Sequence, residues 1–75
     1  MNNELSKPTV SVKWLIGAAC FFEQSAEEAL PTWIVLGLTH RYAENMSKAA
    51  VFRRAAQMKS ISERRQFLRA NGVEA

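Results

Sequence analysis

An all-α fold, a small bundle of three to four helices with a long central helix, is predicted by three features of the sequence. Apolar residues recur at three- and four-residue spacing over most of the chain, serine-led helix starts punctuate it, and only three glycines and two prolines interrupt it. At 75 residues the chain forms one domain at most, and it buries only about 60% of the surface its unfolded form exposes. Small domains offset so thin a core with disulfides, metals or association. Cys20 is the single cysteine and His40 the single histidine, so neither an internal disulfide nor a four-ligand zinc site can form within one chain, and no metal or cofactor is expected. Association remains, and the 48% of residues that are apolar supply surface for it.

Residues 1–8, polar around a lone Leu5 and ending at Pro8, are expected to be a flexible arm, residues 9–72 a single helical domain, and residues 73–75 a tail. From Thr9 to Gln24 two periods compete. Val10, Val12 and Trp14 alternate like a strand, whereas Leu15, Ala18, Ala19 and Phe22 recur at helical spacing, and the length of the run favours helix. Gly17 costs that helix about 1 kcal/mol relative to alanine.

The run Ser25-Ala26-Glu27-Glu28 has the form of a capping box, in which the serine oxygen takes an orphan amide and the glutamate three residues on returns to the serine. Pro31 follows too closely for that turn to run far, since its ring removes a donor and disfavours helical geometry at Leu30. A break at Leu30 or Pro31 is therefore expected, with Pro31 opening a second, long helix. Val35, Leu38, Tyr42, Ala49, Phe52 and Ala56 then follow heptad-like spacing, with Met46 beside the stripe, Asn45 interrupting it, and Glu44 placed to pair with Lys48. Continuous from Pro31 to Lys59, this helix would be roughly 43 Å long. Otherwise it breaks near Asn45 to Ser47. A last short helix is bounded by a second capping box, Ser60-Ile61-Ser62-Glu63, and by the stop Asn71-Gly72.

Charge is polarised along the chain. Residues 1–40 carry a net −2 and residues 41–75 a net +5, consistent with the overall +3. A basic half of this kind serves either an acidic partner or a solvated helix face. Catalysis is not expected, because aspartate is absent, His40 has no companion base or acid, and the glycines are isolated rather than gathered into a phosphate loop. Cys20, within the apolar run from Trp14 to Phe22, reads as a small buried hydrophobe of a reducing compartment, so a cytoplasmic location is expected. That run is too short to span a bilayer, which needs about 20 apolar residues, and a membrane partner is not expected.

Two kinds of binding remain. In the first, a protein partner or a second copy meets Trp33, Val35, Leu38, Tyr42, Met46 and Phe52, with Trp14 as a further large anchor, since aromatic residues dominate interface energetics. In the second, a DNA-binding regulator bends at Asn45 into a helix-turn-helix-like segment. Lys48, Arg53, Arg54 and Gln57 would then face a major groove, and Arg64, Arg65 and Arg69 would meet phosphates. Arg41, Arg54 and the missing turn glycine fit that motif poorly, which leaves protein association as the primary expectation.

Overall fold

The computed structural model describes residues 11–74, which form three helices: α1 from Val12 to Leu36, α2 from His40 to Ala56 and α3 from Ile61 to Ala70. The all-α expectation holds, with three helices, and the long one comes first rather than in the centre. Thr9 and Val10, where the strand-like alternation begins, lie outside the described residues, as does the arm.

Ser11 starts α1. Its backbone is extended, and its Oγ accepts from the Trp14 amide at 2.9 Å, satisfying one of the orphan donors of the first turn. The helix then runs through Ser25 and Pro31, against the expectation of a capping box at the first and a break at the second. Ser25 lies half-buried in the middle of α1 and Pro31 is exposed. The proline forgoes one amide hydrogen bond, but seam residues flank it on both sides, fully buried Ala26 before it and half-buried Trp33 after it. Tertiary packing thus overrides a local preference.

The break falls instead at Gly37. This residue takes a left-handed conformation, φ 71° and ψ 26°, and two hydrogen bonds close the helix end: Gly37 N–H to the Ile34 carbonyl at 3.2 Å and Leu38 N–H to the Trp33 carbonyl at 2.7 Å. That pair of bonds is the Schellman closure, which needs a residue tolerant of positive φ at this position. The 31–59 helix is therefore two helices, and α2 passes unbroken through Asn45 and Ser47, so the expected bend and the capped recognition helix after it do not form. The same closure ends α3, where Gly72 has φ 82° and Val73 N–H reaches the Leu68 carbonyl at 2.9 Å. At its start Ser60 Oγ accepts from the amides of Ser62 and Glu63, as the second capping signature predicts.

Because only Gly37 to Thr39 separate them, α1 and α2 fold back on each other as an antiparallel hairpin. Its seam is built largely of alanine. Leu15, Ala19 and Ala26 on α1 and Ala49, Phe52 and Ala55 on α2 are buried, and Leu68 from α3 joins them. On α1 the seam positions Leu15, Ala19, Phe22, Ala26 and Trp33 follow heptad-like spacing. On α2 Tyr42, Asn45, Ala49, Phe52 and Ala56 do the same, so Asn45 belongs to the seam it was expected to interrupt. α3 packs on α2 and not along α1. The result is long and thin, 45 × 24 × 17 Å, with a radius of gyration of 14.1 Å against about 11 Å for a compact chain of this length.

One substitution should act in opposite directions at two glycines. Gly37→Ala should lower stability by about 1 kcal/mol through positive-φ strain, whereas Gly17→Ala, in open space within α1, should raise it by about 1 kcal/mol. Urea unfolding followed by circular dichroism measures both. By the same measurement Phe52→Ala should cost about 3 kcal/mol or more, since it removes the largest side chain of the core.

Candidate interaction surface

Four aromatic rings meet where the open end of the hairpin must be filled. Phe22 stacks on Phe52 with centroids 5.6 Å apart and planes 8° from parallel. Trp14 meets Phe52 edge-on at 5.9 Å, and Phe21 meets Phe22 edge-on at 5.6 Å. Such offset and edge contacts are the favoured ring geometries. Lys48 adds its Nζ 5.7 Å from the Phe22 ring centre, so its ammonium faces an aromatic partner rather than Glu44 as expected.

The cluster is only half enclosed. Beside it lies an open, almost wholly apolar groove of about 770 Å³, walled by Trp14, Phe21, Phe22 and Phe52 and floored by Gly17 and Ala18. A smaller hollow of about 380 Å³ lies beyond Phe22 and Phe52, bordered by Lys48, Val51 and the chain from Asn71 to Glu74. At the closed end of the hairpin a second apolar area stands in solvent, where Ile34, Val35 and Leu36 are 58%, 84% and 61% exposed.

The expected partner-binding residues are divided between these ends. Trp33, Leu38, Tyr42 and Met46 are half-buried and lie around or just beyond the Gly37 turn, and Val35 is the most exposed large apolar residue there. Phe52 lies at the other end as part of the core. Phe21 and Gly17 were not among the expected contacts, although their signal is in the sequence. Trp14, Ala18 and Phe21 form a second stripe beside Leu15, Ala19 and Phe22, and one packed neighbour covers only one stripe.

The basic residues are likewise dispersed. Arg53 makes a two-pronged pair with Glu23, Nε to Oε2 and Nη2 to Oε1 both at 2.8 Å, and its Nη2 lies 3.6 Å from Cys20 Sγ. Cys20 is exposed, not the buried hydrophobe that its neighbours suggest, because its position on α1 turns away from the alanine seam. Arg64 donates to the carbonyls of Met58 and Lys59, tying α3 to the end of α2. Arg65 is half-buried with its Nε enclosed, Gln57 caps α2 through its backbone, and Arg54 and Arg69 are exposed. Among the described residues no group of three or more histidine, cysteine or acidic side chains could hold a metal ion, and no helix is long and apolar enough to cross a membrane. Compared with known families, curated proteins and solved structures, the chain matches none.

The hydrogen bond from Arg53, reinforced by its charge, holds the Glu23 carboxyl below its ordinary value. A carboxyl whose folded pKa is lowered adds stability that is fully present above the unfolded value and is lost as pH falls through the folded one. The stability difference between wild type and Glu23→Gln should therefore be constant above about pH 5 and shrink below about pH 4. Thermal melts across that range read it directly.

Proposed function

We propose that this chain is a non-enzymatic helical binding module that works by protein–protein association, as an accessory, regulatory or inhibitory factor, with a second copy of itself among its partners. The observation that carries this is the apolar surface the fold leaves outside. Among the described residues eight large apolar side chains stand exposed: Val12, Trp14, Ile16, Phe21, Ile34, Val35, Leu36 and Ile61. Five of them gather in two places rather than standing singly, as surface hydrophobes usually do: Trp14 and Phe21 wall the groove, and Ile34, Val35 and Leu36 form the tip beside the turn, whereas Val12, Ile16 and Ile61 line neither. With one cysteine the chain has no internal disulfide to offset the thin core, so a partner that covers this surface also stabilises the fold. A cytoplasmic site of action accords with the single unpaired cysteine.

DNA binding through the basic half draws on the net +5 of residues 41–75 and has less support. Lys48 and Arg53 lie about 140° apart around α2 and so present no common face. Arg53 is already matched by Glu23.

The test is isolation of the tagged full chain from its host, with and without nuclease. A protein companion, or an untagged copy of the chain, should be retained in both arms, and Val35→Glu or Phe21→Glu should release it while leaving helicity unchanged. Retention abolished by nuclease would instead favour DNA. Recovery of the tagged chain alone would overturn association.

A further inference from the structure

Resting on that reading, we infer that the Trp14–Phe21 face of α1 is the seam of a homodimer, in which two α1 helices lie antiparallel and Phe21 of each copy seats over Gly17 of the other.

A twofold interface must be self-complementary, since each patch meets its own copy rotated. This face carries both halves of such a fit. Phe21 is a knob, 64% exposed although it touches Phe22 at its edge. One turn earlier, Gly17 is a hole: a methyl group built on it would meet nothing within 4 Å, so the floor between Trp14 and Phe21 is bare backbone open to solvent. Knob and hole lie four residues apart, about 6 Å along the axis. A twofold axis crossing the helix near Ala18 and Ala19 brings each knob onto the other copy's hole, with Trp14 beside it.

Charge sets the direction. The N-terminal part of α1 presents Lys13, whereas its acids, Glu23, Glu27 and Glu28, all come later. Antiparallel pairing about that axis carries Lys13 of one copy toward Glu28 of the second, on the same flank of the seam. Parallel pairing would set acids against acids.

The long, thin shape leaves more surface in solvent than a compact chain of this mass would expose, 5392 Å² against about 4,700 Å², so apolar area remains for a second copy to cover. Nothing in α3 obstructs the approach, because that helix packs on α2.

The experiment is sedimentation velocity of the full chain from micromolar to submillimolar concentration, with circular dichroism as the control for folding. Wild type should dimerise. Phe21→Glu should weaken the dimer at least about thirtyfold, the loss expected of an interface hot spot. Gly17→Leu is the discriminating variant. Within the monomer its side chain enters open space and replaces a poor helix former, so the chain should keep at least the wild-type helicity, yet it fills the hole and the dimer should be lost. Lys13→Glu should weaken the dimer, and adding Glu28→Lys should restore it. A wild type that stays monomeric throughout overturns the pairing, even if a different protein is retained in the isolation experiment. A dimer that survives both Phe21→Glu and Gly17→Leu overturns this seam while leaving association itself intact.

Discussion

The seam between α1 and α2 is made of alanine where it is tightest, and the rest of the molecule follows from that. Ala19 and Ala26 on one helix and Ala49 on the other are fully buried, and side chains this small let two helix backbones approach closely. Leu15 and Phe52 are the large side chains of the hairpin buried with them. The chain nevertheless carries two tryptophans, four phenylalanines and a tyrosine. Phe52 is taken into the core, Phe22, Trp33, Tyr42 and Phe67 are half-covered, and Trp14 and Phe21 remain outside. The exposed aromatic face is thus the side of α1 that is turned away from the seam.

The short third helix limits that problem without removing it. Leu68 is fully buried against the hairpin, and Arg64, by donating to the carbonyls of Met58 and Lys59, fixes the angle at which α3 leaves α2. A ten-residue helix has little stability of its own, so its formation depends on the Ser60 cap, the Gly72 closure and that one buried leucine. It covers the α2 side of the aromatic cluster and leaves the α1 side open. An all-helical domain of this size has solved its backbone hydrogen bonding locally, and what is left unsatisfied is apolar area.

Electrostatics here is local rather than global. The sequence divides into an acidic first half and a basic second half, but folding back at Gly37 lays the two halves side by side. The polarity is partly cancelled at Glu23 and Arg53, which lie thirty residues apart in sequence and in contact in space. Lys48 is turned toward an aromatic ring and Arg64 toward backbone carbonyls. Charges that look like one basic stripe along the chain are spent in several separate contacts, while the apolar residues gather into patches.

The sequence by itself determined the helical class, the Ser60 start and the Gly72 stop of α3, and the surplus of apolar surface. These are legible because capping chemistry, periodicity and composition act over a few residues or over none. Tertiary structure alone decided that α1 runs through Pro31, that the chain turns at Gly37 and not at Asn45, and that Cys20 faces outward. At Pro31 the cost of a missing hydrogen bond is local, whereas the burial of Ala26 and Trp33 that outweighs it depends on residues distant in sequence. The Trp14–Phe21 face was legible only as a second stripe, not as the one left open. Two adjacent apolar stripes mark one helix, and which of them meets α2 is settled only when the alanines of both helices come into register.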